Sequence, residues 1–548
     1  MSKNKRAYFD TTYYNTLRDA LTGMGAAYGG KPAVTWYDRG GAAHTKSYSD
    51  LMRDAAGIAR ALDESGLCGK HAAIVSENSY EWLCAFFAIV STGGVAVLVD
   101  TEQSAGRLCA AIRLADAEMI IASDTIAPLI RSCALEAGLP LLCVGECEGI
   151  ESLFEFAGDS PASDGEALSI LNGFHPKGEN TAVIAFTSGT SGQPKPVMLS
   201  QSGLARNASE SIAMVKPSER VFSSLPFYHT YGLTCGALCI LFSGAELGIN
   251  GDVKRVVRDL TQFNPQIMMA VPLMVEMLHK RLMLAVEKAG ARKRVDRALA
   301  WFDRLYALGI RRPVPKLLAM KEAQLGCLRL IVCGGAHLSR AAAAHMEALG
   351  VTVLEGYGIT ECSPLVSVNR LCDRKPFSVG KPLPSYRVRV EEGEIYISGP
   401  SLMRGYYKDE AATAAVMAGE WFRTGDMGEV DENGFLTITG RKKNLIVLKN
   451  GKKIAPEEIE GYLKGTPLVK EVSAHSAPAG DSADDVKLAV TVYPDEEAAR
   501  GMTAYEVLEV IQREVDAVNS RLPTYKQIQM VSLRTQEFEK TASQKIKR

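Results

Sequence analysis

The apolar positions of this chain fall into short runs bounded by turn formers, with helical stripes between them. Leu51, Ala55, Ile58 and Leu62 share one helical face, with Ser49 in the position of an N-cap. Residues 72–75 then read as a strand and residues 79–90 as a helix broken by Thr92-Gly93-Gly94. Residues 95–99 read as a second strand. Strand–helix–strand of this length is the βαβ unit of a parallel sheet. The alternation continues through residues 141–144. Residues 145–180 are rich in Gly, Asp, Glu and Ser without periodicity and read as a surface connection. Further on, residues 221–225, 328–333 and 351–354 are strand-like. Residues 393–398 and 434–438 alternate as antiparallel strands do, which predicts a β-rich subdomain. Near the end, residues 488–492 predict a strand and 505–518 a helix.

The chain has 548 residues, which suggests roughly two to four domain-sized units. Its net charge of -1 gives no electrostatic case for nucleic acid. No apolar run is long enough to span a bilayer, and the polar start after Met1 predicts no signal peptide. The 12 cysteines are scattered without Cys-x-x-Cys. Many sit in apolar runs, as Cys84 does, and read as reduced core residues of a cytoplasmic protein, without disulfides or structural zinc. Residues 280–321 interleave basic residues such as Lys280, Arg292 and Arg304 with Leu284, Leu299 and Trp301. Such a stretch either lies peripherally on an anionic membrane or forms a solvated helical face. The solvated face is the favoured reading.

The densest candidate chemistry is the loop Thr187-Ser188-Gly189-Thr190-Ser191-Gly192-Gln193-Pro194-Lys195, between apolar runs at 182–186 and 197–199. Glycines let successive backbone N–H groups turn inward, hydroxyls add donors, and the lysine adds a point charge. That set suits a polyphosphate, although a polar hairpin loop has the same composition. It is not the Walker pattern. The nine residues resemble the phosphate loop of the adenylate-forming (AMP-binding) superfamily, which includes acyl- and aryl-CoA ligases. Further motifs in that family's order span most of the chain.

What the resemblance implies can be stated residue by residue. In Pro226-Phe227-Tyr228-His229, His229 belongs at the wall of the carboxylate-substrate pocket. Gly232 and Gly236 follow at helical spacing, leaving room for an acyl chain or letting two helices pack closely. Gly334-Gly335-Ala336 flanks the adenine and acyl pockets. Glu355-Gly356-Tyr357-Gly358-Ile359-Thr360-Glu361 offers Tyr357 to adenine, Thr360 to the α-phosphate and Glu361 to Mg²⁺. Asp426, in what reads as a Thr-Gly-Asp turn, and Arg441 take ribose-contacting roles, and Lys443 the hinge position. The closing Lys540-Thr541-Ala542-Ser543-Gln544-Lys545 aligns Lys545 with the catalytic lysine. Pro196, Glu539 and Gln544 depart from the family's usual residues.

The implied fold is α/β. A large N-terminal domain of parallel-type α/β layers, residues 1–440, carries the β-rich subdomain and precedes a small mobile α+β domain, residues 441–548. The implied reaction is ATP-dependent activation of a carboxylic acid to an acyl-adenylate and then a thioester. Its cofactors are ATP, Mg²⁺ and coenzyme A, and its substrate a medium- or long-chain fatty acid. No acid stands near residues 228–236 to hold an amino group. The alternatives are an aryl acid, a carrier-protein thiol as acceptor, or a non-catalytic nucleotide-binding protein of this fold.

Overall fold

The helix Tyr48–Glu64 shows how the chain resolves the first of these patterns. Its cap is Ser47 rather than Ser49. Ser47 accepts from the Asp50 amide at 3.1 Å, and the Asp50 carboxylate accepts from the Ser47 amide at 2.9 Å. Ser49 lies inside the first turn and donates to Asp164 at 2.6 Å. That bond belongs to a correction. Residues 145–180 are not merely a connection but hold the helices Leu153–Ala157 and Asp164–Asn172, capped by Ser152 and Ser163. Each buries only two residues, Leu153 and Ala157 in one, Ala167 and Leu171 in the other, too few to write a period. Contact with the helix Tyr48–Glu64 supplies the rest.

The structure, a computed structural model, describes residues 8–548 except 188–193, 218, 308–312, 337, 449–451, 465, 467, 479–485, 541–545 and 547–548. One nine-stranded sheet is parallel through Thr352–Gly358, Leu330–Cys333, Ile267–Ala270, Arg220–Ser223, Glu246–Ile249 and Pro32–Tyr37, in that order, with antiparallel strands at both edges. A seven-stranded sheet carries the expected βαβ unit, His71–Val75 beside Val95–Leu98. Its next strand, Thr181–Phe186, turns back antiparallel as Pro196–Ser200 and so places the candidate phosphate loop at a strand end. The helix Tyr80–Ser91, apolar on nearly every face, is buried at every position but Glu81, as its composition requires.

The β-rich subdomain is a five-stranded antiparallel sheet. Here Thr424-Gly425-Asp426 is not a turn between strands. It lies within one ten-residue strand, Trp421–Val430, where the register with Glu394–Ser398 shifts. Gly425 at φ 68° makes that bulge, and Thr424 Oγ1 accepts from the Asp426 amide at 3.0 Å. Beyond it, Val469–Pro478, Val486–Pro494 and Met530–Leu533 form a separate sheet under the helix Ala504–Asn519. Among the described residues, their apolar cluster draws on positions from Ile446 to Leu533 and on none before them.

Within the basic stretch 280–321, residues 280–288, 292–307 and 315–321 belong to three helices, Pro272–Lys288, Arg292–Ala307 and Pro315–Leu325. Leu282, Val286, Val295, Leu299 and Phe302 are buried in the core, against Phe222, Met268 and Ile331 of the large sheet and its surroundings. Most of the apolar stripe therefore turns inward, while Arg281, Arg292, Lys293, Arg294 and Arg304 are exposed and Lys321 is buried, donating to the Gly326 carbonyl at 3.0 Å; Leu284 and Trp301 stay exposed. No helix among the described residues is long and apolar enough to cross a membrane.

Candidate active site

The parallel strands of the nine-stranded sheet end at a cavity of about 720 Å³, where open α/β sheets place ligands. One end is polar. Thr187 and Lys195 reach it from the two sides of the hairpin that carries the candidate phosphate loop, which close on each other through the Thr187 amide and the Lys195 carbonyl at 3.0 Å. Thr360 and Glu361 reach it from the short turn after the strand Thr352–Gly358, and Arg441 from the end of Leu436–Arg441. The other end is apolar, walled by Val215, Val221, Leu225, Cys235, Cys239 and Met269. His229 lies along this wall beside Tyr228, their ring centroids 4.7 Å apart.

Gly334, Gly335, Gly356, Tyr357 and Gly358 all reach the cavity, whereas Ala336 and Glu355 do not line it. Ala336 is exposed. The Glu355 carboxyl lies near Cys333 and Arg340. Burial pushes it up to about 7 against the pull of Arg340. A Cβ on Gly358 would stand 2.6 Å from the Pro364 carbonyl oxygen, so backbone packing already excludes a side chain there. Gly232 lines the cavity and Gly236 does not, and neither leaves open space where a side chain would stand. Cβ atoms on them would strike the Pro226 carbonyl oxygen at 2.0 Å and Ser223 Oγ at 2.6 Å. The wide π-type helix Tyr231–Leu238 thus lies directly on the end of the strand Arg220–Ser223. The same helix turns Cys235 to the cavity.

Asp426 is buried and does not itself line the cavity. Tyr357 Oη donates to its Oδ2 at 2.6 Å, and Arg441 Nε lies 2.9 Å from its Oδ1. Lys443 follows in the single turn Lys442–Asn444 and lines the cavity. Burial, then the neighbouring Arg441 cation, hold its ammonium below the ordinary lysine range. Ser188, Gly189, Thr190, Ser191, Gly192 and Lys545 lie outside the described residues.

Several cavity residues were not anticipated from the sequence. Tyr406 donates to Glu361 Oε1 at 3.0 Å. Lys442 reaches the buried Glu394 at 2.6 Å. The stretch Arg404-Gly405-Tyr406-Tyr407 carries no local signal of this. Burial pushes the Glu361 carboxyl up, while the Tyr406 hydrogen bond and Arg441 oppose the shift. Glu361 suits a magnesium ion that takes most of its ligands from phosphates. Among the described residues no cluster of three side chains offers a complete protein cage, and Mg²⁺ with phosphate ligands needs only one or two carboxylates.

Residues 24–407 match the profile of the AMP-binding enzyme family, and residues 443–548 that of the AMP-binding enzyme C-terminal domain. The chain belongs to the AMP-binding enzyme family. It is 30% identical over 458 residues to a long-chain-fatty-acid–CoA ligase of Mycobacterium bovis, covering 78% of this chain and 74% of that protein. It is 29% identical over 340 residues to an indoleacetate–CoA ligase of Aromatoleum aromaticum, covering 59% of this chain and 58% of that one. Its fold is similar to an anthranilate CoA ligase in complex with anthranoyl-AMP, with TM-score 0.77 and 22% identity over 98% of this chain and 96% of that one. ATP-bound MatB from Rhodopseudomonas palustris gives TM-score 0.76 and 24% identity over 97% of each chain. Acid–CoA ligases of the AMP-binding family use ATP, Mg²⁺ and coenzyme A.

Proposed function

We propose that this AMP-binding enzyme activates an aliphatic carboxylic acid of medium or long chain and passes the acyl group to coenzyme A. The observation that carries the reading is a single cavity joining Lys195, Thr360 and Glu361 at one end to an apolar wall at the other. In the first step a carboxylate oxygen attacks the α-phosphorus of ATP, and pyrophosphate leaves. In the second the thiol sulfur attacks the acyl carbon, AMP leaves, and the thiol proton passes to solvent. The first step brings two anions together, so its rate depends on charge neutralisation and in-line geometry. Lys195 and Thr360 face the phosphates, and Glu361 would hold Mg²⁺, which when bound neutralises phosphate charge. Asp426 and Arg441 sit on the ribose side, and His229 at the carboxylate. Lys545, carried by the small domain, meets the reacting groups in the first step, and Lys443 is the hinge between the two conformations.

The decisive experiment is a panel of carboxylic acids scored for pyrophosphate release, with and without coenzyme A. Each buried methylene contributes about 0.8 kcal/mol, so specificity rises with chain length until the cavity ends and then falls. A flat profile across fatty acids with strong turnover of benzoates would overturn the aliphatic assignment. That outcome would favour the aryl reading, which the similarity to an indoleacetate–CoA ligase supports.

A further inference from the structure

Tyr406 belongs to neither of the motifs it joins. It lies in the short strand Gly405–Tyr406, which pairs antiparallel with Pro196–Ser200 directly after the phosphate hairpin. The pairing places its ring beneath Lys195, whose Nζ is 4.7 Å from the ring centroid. Its hydroxyl donates to Glu361 Oε1 at 3.0 Å. The backbone repeats the link, because the Met403 amide donates to the Glu361 carbonyl at 2.7 Å and the Tyr407 amide to the Pro196 carbonyl at 2.8 Å. Tyr406 is 6% exposed, and its own amide is held by Thr413 Oγ1 at 2.9 Å, so the ring has little freedom to move.

An ammonium and a carboxylate that share one cavity attract each other. Their direct pairing would occupy the donor meant for phosphate and the oxygen meant for metal. Among the described residues, Lys195 forms no ion pair with Glu361; the phenol ring stands at one and the phenol oxygen at the other. A ring face attracts a cation through its quadrupole, and a hydroxyl donor fixes the direction of a carboxylate oxygen.

We infer that Tyr406 is a positioning residue that keeps Lys195 and Glu361 apart and aimed, the lysine toward phosphate and the carboxylate toward the magnesium ion that accompanies it. The inference rests on the nucleotide reading of the cavity and adds a residue to it. The hydroxyl and the ring have separable duties. The hydroxyl sets the metal-facing carboxylate, and the ring seats the ammonium.

The test is calorimetric binding of ATP to the full chain, in excess chelator and in saturating Mg²⁺, for wild type, Tyr406→Phe and Tyr406→Leu. The phenylalanine variant keeps the seat for the lysine. It is expected to bind metal-free ATP as wild type does and to lose about tenfold of the gain that Mg²⁺ brings, the scale of one hydrogen bond to a charged group. The leucine variant lets Lys195 fall onto Glu361. It is expected to lose metal-free affinity as well, by about three- to tenfold. An unchanged Mg²⁺ gain in Tyr406→Phe would overturn the inference. So would an equal loss with and without metal in that variant, which marks a packing role alone. A wild-type protein that binds no ATP would overturn the nucleotide site itself, and the role of Tyr406 with it.

Discussion

Tyr357 donates its hydroxyl to Asp426 at 2.6 Å, joining the end of one parallel strand to a bulge in the antiparallel subdomain. Arg441 engages the other carboxylate oxygen at 2.9 Å, so this buried carboxylate is held from two sides before any ligand arrives. Tyr357→Phe leaves the ring and removes the donor. A hydrogen bond to a charged group contributes about 1.5–3 kcal/mol. The variant is therefore expected to weaken ATP binding by roughly tenfold or more. Calorimetry on the folded variant checks this. Wild-type affinity would show that the bond serves packing rather than the nucleotide.

The two lysines of the proposed domain movement should separate the half-reactions. Removing one preorganised donor from a transition state typically costs on the order of 10²–10³ in rate. Lys545→Ala is thus expected to lose pyrophosphate release and still convert supplied acyl-adenylate to thioester. Lys443→Pro restricts φ at the turn Lys442–Asn444 and is expected to spare adenylate formation while depressing thioester formation. Rapid-quench measurement of each step decides. Equal loss of both steps in both variants would remove the hinge from the account.

Glu355 predicts a pH dependence of stability. Its carboxyl is raised from an ordinary value of 4.5 to about 7, so the folded chain holds this proton more tightly than the unfolded chain does. Stability from this group is full below about 4.5 and falls as pH rises through 7, by on the order of 3 kcal/mol. Glu355→Gln carries no such titration. The variant's melting temperature is therefore expected to gain on wild type between pH 5 and pH 8 and to change little above that. A constant difference across the range would mean that Glu355 titrates normally.

The sequence by itself determined whatever is written in contiguous residues. The two strands that flank the candidate phosphate loop, the Thr360-Glu361 turn and the βαβ unit at residues 72–99 were legible because backbone conformation and local burial leave a period or a motif in the chain. Only the tertiary structure decided how distant pieces meet. The helices Leu153–Ala157 and Asp164–Asn172 carry too little apolar surface to be seen before their partner is in place. The glycines at 232 and 236 read equally as acyl-chain space or as close helix packing, yet the Pro226 carbonyl and the Ser223 hydroxyl stand where their side chains would be. Tyr406 lies 211 positions from Lys195 and 45 from Glu361, and nothing in its own neighbourhood marks it. A cation over a ring and a hydroxyl on a carboxylate depend on which strand pairs with which. That choice is fixed by burial summed over the whole fold, not by any one stretch of the chain.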